Sequence, residues 1–349
     1  MTLLFHDSCD LYASNDDILS RWDSANTSGD NWQFVPNGGV KGGGALRCQV
    51  DDIGLRKRIR PVGGSEKLTR VAFWFKSTDK LNDTILFFED SALARFNHLT
   101  TNTTGRLQLS RSGSNSTFGV IIGATDVCDG NWHFIEITLK TSSPYERTIK
   151  VDGVVDATSD VITGIATTTL LNHCDRLIFT APDVNGADFD DIIVWDDNPG
   201  GLTGTLSSGA PYFAVSNVNG AGSSSDFTAN NAPTNHEAVD DLNINDADTT
   251  YVESGTAGHK DLYQTTDLPA AVQNIIAVTT VAFVRTEAAS EASMKLKLLS
   301  STSEVDSADF LINGDEYKPI FNQWDVDPNT GAAWTVAGLN AAEIGMEIV

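Results

Sequence analysis

Hydrophobic and polar residues alternate along most of the first 197 positions, which is the pattern of strands that bury one face. Turns rich in Gly, Asn and Asp separate the alternating segments at intervals of roughly 10–20 residues. Only residues 16–22 have the apolar spacing of one or two helical turns. The pattern predicts an antiparallel β-sandwich. The alternating segments are 68–77, 84–90, 105–112, 131–140, 147–155, 175–181 and 188–197.

The later part of the chain begins with a change of composition. Residues 198–235 are rich in Gly, Ser, Asn and Pro, which is typical of linkers and turns. Strand-like patterns follow at 274–286, 293–301 and 306–317, and Pro269 leaves a short helix leading into AVQNII as an alternative. The chain is therefore predicted to be all-β, with two domains and a linker. These are a first sandwich over 1–200, a linker over 201–210 and a second, smaller β-sandwich over 211–349.

The chain carries a formal net charge of −24, and the charge is uneven. Residues 1–200 contain 18 Lys and Arg against 27 Asp and Glu, whereas residues 201–349 contain 5 against 20. Such a surface repels nucleic-acid phosphates and anionic lipids, so neither nucleic acid nor a membrane is an expected partner. The first ten residues lack a basic n-region, and no apolar run approaches the roughly 20 residues that span a bilayer. We expect synthesis in the cytoplasm without a signal peptide.

The four cysteines do not have the spacing of a zinc site or of a disulfide framework. All of them lie in the first half of the chain, and the nearest histidine, His173, has only one cysteine beside it. We expect reduced, buried thiols. The four are Cys9, Cys48, Cys128 and Cys174.

Three segments of the first domain occur in an order that resembles the concanavalin A/laminin-G-like jelly roll. They are DGNWHFIEITL at 129–139, IKVDGVVDA at 149–157 and FDDIIVWDD at 189–197. The resemblance implies that the first strand, near residues 5–10, pairs with the last. We assign Trp132, Phe134, Ile192 and Trp195 to the packed core of this sandwich. The alternative for these residues is a platform that binds carbohydrate.

Many domains of that fold bind sugars, and some hydrolyse them. The resemblance implies that a hydrolase would carry a Glu-x-Asp-x-Glu strand, and this chain has none. Some sugar-binding relatives hold calcium at the rim of the sandwich, which makes Asp190 and Asp191 candidate cation ligands. The alternative for these two residues is a solvated strand end. We expect no enzyme activity and no cofactor other than this candidate calcium.

The segment from 240 to 263 has five acidic residues within fourteen positions. An EF-hand loop that starts at Asp241 would need Gly at its sixth position and Glu at its twelfth, and it has Asp246 and Val252 there. Asp246 and Asp248 remain candidates for a looser cation site, although Asp and Asn residues also stabilise turns. We predict a turn–strand–turn–strand unit in which Tyr251 and Leu262 face the core.

The same segment and the C-terminal end resemble virion proteins of tailed bacteriophages. The residues that carry the resemblance are Asn245, Asp246, Asp248, Thr249, Thr250, Tyr251, Asp261, Leu262, Asp267, Leu268, Pro269 and the closing stretch 327–349. The resemblance implies a structural part of a particle (tail, baseplate, neck or capsid decoration) that contacts other virion proteins and further copies of itself. Host-surface glycans are a further partner implied for the first domain. The alternative function is a stand-alone carbohydrate-binding module.

The stretch LRKRIRP at 55–61 is the one dense basic run of this acidic chain. Arg56, Arg58 and Arg60 occupy alternate positions, so a strand would place all three on one face. We predict a partner-facing edge strand that meets an acidic surface on a neighbouring subunit. The alternative is a solvated edge that its charges protect from pairing with another chain.

Overall fold

The computed structural model divides the chain into two compact units, Met1–Phe213 and Ala214–Val349. The second unit begins three residues after the predicted domain start, and the predicted linker lies outside the described residues. The described residues are 3–12, 14–15, 18–25, 31–49, 54–60, 68–90, 95–111, 120–141, 146–159, 173–180, 186–196, 213–241, 246–270, 272, 274–287 and 290–349.

The first unit contains fourteen described strands and one short helix, α1, at Ile18–Arg21. The strands are β1 Leu3–Asp7, β2 Trp32–Val35, β3 Ala45–Cys48, β4 Leu55–Arg58, β5 Leu68–Lys76, β6 Thr84–Glu89, β7 Arg95–Thr101, β8 Arg106–Arg111, β9 Ile121–Asp126, β10 His133–Lys140, β11 Glu146–Val151, β12 Val154–Ser159, β13 Arg176–Phe179 and β14 Ala187–Trp195.

These strands form two antiparallel sheets, as the alternating pattern predicts. The larger sheet has the order β12-β11-β10-β5-β14-β3-β2, with β1 also paired to β14, and the smaller sheet has the order β4-β13-β6-β7-β8-β9. The residues on the inward faces form one apolar core that includes Phe73, Phe75, Phe179 and Phe189. The unit is therefore a sandwich whose core comes from both sheets.

The last strand, β14, is the centre of the larger sheet and changes partners along its length. Its first residues, from Ala187 to Phe189, pair with β3, whereas the stretch from Ile192 to Trp195 pairs with β1. The register shifts between Asp190 and Ile193 where β14 pairs with β5. The predicted pairing of the first strand with the last is confirmed.

One segment predicted as a single strand, 147–155, is instead a hairpin. Asp152 and Gly153 have φ values of 52° and 81°, the left-handed pair of a type I′ turn, and they separate β11 from β12. An Asp-Gly pair between two alternating segments favours this turn because both positions must adopt positive φ.

The described residues of the second unit form ten strands, a 3₁₀ turn at His236–Ala238 and a short helix, α2, at Val336–Asn340. The strands are β15 Val218–Ser225, β16 Thr228–Asn230, β17 Tyr251–Glu253, β18 Lys260–Thr265, β19 Val278–Val284, β20 Glu291–Ser300, β21 Ser303–Asp306, β22 Phe310–Asn313, β23 Lys318–Trp324 and β24 Glu343–Ile348.

The main sheet of this unit has the order β15-β18-β24-β20-β21, with β22 also paired to β20. Two-stranded sheets form from β16 with β17 and from β19 with β23. Two small apolar clusters join residues of the main sheet, such as Leu296 and Leu298, to residues of β19 and β23, such as Val284 and Trp324. The unit is the smaller all-β domain that the sequence predicts.

The 240–263 segment follows the predicted order of turn and strand, with one correction. Leu262 is buried as predicted, but Tyr251 is only half-buried because β17 pairs with the short strand β16 outside the main sheet. The buried tyrosine of the segment is Tyr263, on β18. The described residues among 269–277 form no helix, so the helical alternative after Pro269 is wrong for them. Among the described residues, none of the helices has the length and apolar character needed to cross a membrane.

Candidate functional site

Four aspartates meet where β14 changes partners. Asp7 ends β1, Asp10 follows it, and Asp190 and Asp191 occupy the irregular part of β14. Asp191 has a φ of 47°, which interrupts the regular pleat, and the β14 carboxyl groups lie close enough to Asp7 and Asp10 for their charges to interact. The grouping thus follows from one bulge in the central strand.

Asp7 is nearly fully buried and accepts three hydrogen bonds. Its Oδ2 accepts from the hydroxyl of Tyr12 at 2.5 Å and from Nε1 of Trp22 at 2.7 Å. Its Oδ1 accepts from the backbone N–H of Cys9 at 3.0 Å. These bonds satisfy the carboxylate and fix the turn at the end of β1.

The glycine-rich loop between β2 and β3 closes over the other carboxylates. The N–H of Val40 donates to Oδ2 of Asp190 and the N–H of Gly44 to Oδ1 of Asp10, both at 2.8 Å. A Cβ at Gly39 would lie 2.6 Å from Asp190 Oδ2, and one at Gly43 would lie 1.8 Å from Asp10 Oδ1. The loop therefore needs glycine because its backbone itself contacts the carboxylates.

Asp190 and Asp191 are both 3% exposed, so the alternative of a solvated strand end is wrong. Burial, with the nearby charges of Asp10 and Asp7, raises the pKa of Asp190 to about 7. Burial and the charge of Asp190 raise the pKa of Asp191 to about 9. At neutral pH the pair therefore holds at least one proton, which reduces the repulsion among four crowded carboxyl groups.

The oxygen atoms of the cluster are not arranged as the ligands of a metal cation. Both oxygens of Asp190 accept backbone N–H groups, from Val40 and from Asp191, and Asp191 accepts the N–H of Phe213. Among the described residues, no group of three or more His, Cys, Asp or Glu side chains is arranged to hold a metal ion. Each of the four carboxyl groups accepts at least one hydrogen bond from the protein itself.

Trp132 lies at the rim of the sandwich and is half-buried, so its predicted place in the core is wrong. It precedes the first residue of β10, and Nζ of Lys76 stands 5.7 Å from its ring centroid. Phe134, Ile192 and Trp195 are buried as predicted.

The neighbouring His133 lies between two carboxylates. Its Nδ1 is 2.9 Å from Asp152 Oδ2 and its Nε2 is 3.1 Å from Asp129 Oδ1. Burial alone would lower the pKa of His133, but the bonds to Asp152 and Asp129 outweigh burial and raise it. The arrangement ties the turn before β10 to the hairpin that follows β11.

The three arginines of the basic run do not share one face. Strand β4 ends at Arg58, and Arg60, 5% exposed, points into the protein. Its guanidinium donates to Thr69, Cys174 and Leu68 at 2.6–2.8 Å and lies 3.3 Å from Asp196. The prediction of a partner-facing Arg60 is therefore wrong, because alternation stops where the strand ends.

Arg56 and Arg58 are half-buried on β4. The backbone of this strand pairs with β13 on one side and bonds to Ser24 and Asp23 on the other. The strand is thus covered along both edges, which corrects the expectation of an open edge.

Asp246 and Asp248 serve two different structural roles. Asp246 accepts from the N–H and the hydroxyl of Thr250, at 3.2 and 2.9 Å, which closes the turn before β17. Asp248 accepts from Arg285 at 2.8 Å and from the hydroxyl of Tyr317 at 3.1 Å. Their side chains therefore bond to different parts of the unit. Asn245, which belongs to the resemblance to virion proteins, lies outside the described residues.

The residues behind the C-terminal resemblance bond parts of the second unit to one another. Asp261 is fully buried and accepts from Asp226 N–H, Phe227 N–H, Asn235 Nδ2 and the Tyr263 hydroxyl at 2.6–2.9 Å. Gly345 lies against Asp261, since a Cβ there would be 1.9 Å from the Asp261 carbonyl oxygen.

The residues of the C-terminal stretch 327–349 also form hydrogen bonds within the second unit. Asp327 accepts from the hydroxyls of Ser300 and Thr330 at 2.6 and 3.0 Å. Trp334 Nε1 donates to the carbonyl of Trp324, and the N–H of Leu268 donates to Asn340. These residues build turns and join strands, and their polar groups face the protein interior or its turns.

All four cysteines are buried and free, as predicted. Burial raises the pKa of Cys128 and of Cys174 to about 12, so these thiols remain protonated at neutral pH. A protonated, buried thiol is a poor nucleophile and a poor metal ligand.

No protein-family model matches the chain, and no curated protein matches it. Solved structures similar to it include a carbohydrate esterase from the Shiga toxin-encoding bacteriophage phi24B, at 16% identity over 55% of this chain and 97% of that one, with a TM-score of 0.38. A sialidase matches at 13% identity over 57% of this chain and 19% of its own length, with a TM-score of 0.39. The globular domain of T. cruzi calreticulin matches at 12% identity over 56% of this chain and 88% of its own, with a TM-score of 0.34. At TM-scores below 0.5, no conclusion about this chain follows from these similarities.

Proposed function

We propose that this chain is a structural component of a tailed-phage particle. The observation that carries the proposal is the role of the residues that resemble virion proteins. Asp246, Asp261, Asp327 and Gly345 each stabilise a turn or a strand contact of the second unit. A motif whose residues stabilise the fold, and do not form a reactive site, is consistent with a structural protein.

The proposal includes the absence of a catalytic role. The grouped carboxylates of the first unit accept backbone N–H groups, and Asp7, Asp190 and Asp191 are buried, whereas a glycosidase holds two carboxyl groups against its substrate. Release of reducing sugar from β-glucans by the purified chain, lost in an Asp190→Asn variant, would contradict this part.

Detection of the chain in purified particles tests the virion role. Particles banded on a density gradient and washed in high salt should retain the chain at a fixed ratio to the major capsid protein, measured by quantitative mass spectrometry. A host protein of similar abundance in the lysate is the control for carry-over. Loss of the chain during banding, with the capsid protein retained, would overturn the proposal.

A stand-alone carbohydrate-binding module is the second candidate, because Trp132 is a half-buried aromatic residue at the rim of the first unit. Aromatic rings with an accessible face stack on sugar rings, and Lys76 adds a positive charge beside this one. Binding of the full chain to a glycan array that is lost in Trp132→Ala but retained in Tyr251→Ala would support this candidate. Particle incorporation together with an empty array would reject it.

A further inference from the structure

His133 lies between two turns of the first unit that are separate in sequence. One turn, at 129–131, precedes β10, and the other, at 152–153, joins β11 to β12. Nδ1 of His133 is 2.9 Å from Oδ2 of Asp152, and its Nε2 is 3.1 Å from Oδ1 of Asp129. One imidazole ring therefore contacts a carboxylate of each turn.

The two contacts together require a proton on each ring nitrogen. An ionised carboxylate only accepts hydrogen bonds, so both nitrogens of His133 must donate, and an imidazole does so only as the imidazolium cation. A neutral His133 has one N–H and one lone pair, and the lone pair would face a carboxylate oxygen. Two like charges would then stand on either side of an uncharged ring. The arrangement is therefore complete only when His133 is charged.

The two carboxylates are held in different ways. Asp152 is fixed to β10 by the backbone, because its N–H donates to the Phe134 carbonyl and its Oδ1 accepts the Phe134 N–H, both at 2.8 Å. Asp129 accepts from the N–H and Nδ2 of Asn131 at 2.8 and 2.9 Å, and both of these bonds lie within its own turn. A neutral His133 therefore keeps its bond to Asp152 and loses the one to Asp129.

The other charged groups at this end belong to β5, to the segment after it and to β9. Lys80 and Asp126 form an ion pair near Asp129, whose charge acts on Lys80. Nζ of Lys76, at the end of β5, stands 5.7 Å from the ring centroid of Trp132. These groups leave the contacts of the imidazole to the two turn carboxylates.

We propose that His133 is a proton-dependent clamp, in which the imidazolium holds the turn at 129–131 against the β11–β12 hairpin and loss of its proton releases Asp129. Trp132 is the residue between this turn and His133, so the clamp also restrains Trp132 at the rim. The N–H of Gly130 donates to the Ser77 carbonyl at 3.0 Å, which keeps the middle of the turn attached after release. The clamp concerns the conformation of the rim and does not depend on either proposed function.

The clamp is closed at low pH and opens at high pH. Burial lowers the pKa of His133, but the bonds to Asp152 and Asp129 outweigh burial and raise the pKa above 6.5. Because the pKa is higher in the folded state than in the unfolded state, the stabilisation is complete below about pH 6.5. It is lost as the pH rises through the folded-state pKa.

NMR of the full chain with ¹⁵N-labelled histidine tests the proton. Below pH 6.5, both ring nitrogens of His133 should be protonated, and the ring should titrate above 6.5. Asp129→Asn and Asp152→Asn should each move this titration to lower pH. Both replace exposed residues, and an Asn-Gly pair keeps the type I′ turn at 152–153, so the fold is retained. His98, half-buried in the same unit with a pKa that burial lowers, is the matched control and should not move.

The indole of Trp132 distinguishes a clamp from a histidine that only titrates. Its Nε1–H resonance, assigned with Trp132→Phe, should shift with the same midpoint as His133, and that midpoint should fall in Asp129→Asn. The indole of Trp334, which donates to a carbonyl of the second unit, should not follow it. A His133 midpoint at or below 6.5, a Trp132 resonance that does not follow His133, or equal shifts of His133 and His98 in Asp129→Asn would each overturn the proposal.

Discussion

The hydroxyl of Tyr263 donates a 2.8 Å hydrogen bond to Oδ2 of Asp261, two residues earlier on the same strand, and both side chains are buried. Asp261 thereby joins β18 to the segment that begins at Asp226. Tyr263→Phe should lower the free energy of unfolding by about 1 kcal/mol, because it removes one buried hydrogen bond. Asp261→Ala should lower it by about 3 kcal/mol, because it leaves several buried donors unpaired. Urea unfolding of the full chain measures both.

The half-buried Tyr251 provides the control for this prediction. Tyr251→Phe should change the free energy of unfolding by no more than about 0.5 kcal/mol. Equal effects of Tyr251→Phe and Tyr263→Phe would contradict the assignment of Tyr263 as the buried tyrosine of the segment.

The glycine-rich loop should tolerate a side chain at one position and reject it at another. A Cβ at Gly44 would lie 2.4 Å from both the Cys9 carbonyl oxygen and a ring carbon of Phe34. Gly44→Ala should therefore destabilise the first unit by about 3 kcal/mol. Gly42 has open space around it and a φ of 85°, so Gly42→Ala should cost only the backbone strain, about 1 kcal/mol. Chemical denaturation followed by tryptophan fluorescence compares the two, and a larger loss for Gly42→Ala would show that the loop does not pack against Cys9 and Phe34 at Gly44.

The stability of the first unit should fall as the pH rises from about 4 to about 9. The folded-state pKa values of Asp190 and Asp191 lie above the ordinary value of about 3.9, so the folded state binds more protons than the unfolded state. Their contribution is complete below pH 4 and is lost as the pH rises through about 7 and about 9. Each group that titrates in this way contributes a slope of up to about 1.4 kcal/mol per pH unit.

The variant Asp191→Asn should flatten this dependence. Asn stays neutral at every pH and tolerates the positive φ of position 191. Thermal melts between pH 5 and pH 9 measure the slope, and Asp188→Asn is the control, since Asp188 pairs with Arg47 outside the cluster. An unchanged slope in Asp191→Asn would show that the cluster does not hold the extra proton.

Asp246 should stabilise a turn and Asp248 a surface ion pair with Arg285, and neither should bind a metal ion. Asp246→Asn with Asp248→Asn should lower the free energy of unfolding by about 1 kcal/mol, chiefly through the weaker turn bonds of Asp246. Calcium and a chelator should leave the melting temperature of the wild type unchanged. A rise in melting temperature with calcium that disappears in the double variant would assign the two carboxylates to a cation site.

The alternating pattern was sufficient to predict which residues point into the core in strands that have one buried and one more exposed face. In β5, Val71, Phe73 and Phe75 all point into the core as the alternation predicts. The order of the segments also predicted that β1 pairs with β14. The first prediction rests on alternation within one segment, whereas the second is what the resemblance to the jelly roll implies.

The four-carboxylate cluster could not be predicted because it depends on a bulge. The local sequence FDDIIVW does not reveal the positive φ of Asp191 or the register shift between Asp190 and Ile193. The run GGVKGGG was the one local signal, since so many glycines in a hairpin loop indicate close backbone contact. Arg60 and Trp132 were misplaced for a related reason, since each lies just beyond the end of a strand.

The pairing of β1 with β14 determines when the first unit can fold during synthesis. Leu3 pairs with Trp195, so the strand at the centre of the larger sheet leaves the ribosome after every other strand of that sheet. Until then, β5 and β1 both lack their shared partner and expose the residues that later form the core. Contacts between such distant residues form slowly, and the waiting chain is prone to aggregation. Synthesis of β14 is therefore the step after which the core residues of the first unit can be buried and aggregation of the nascent chain is reduced.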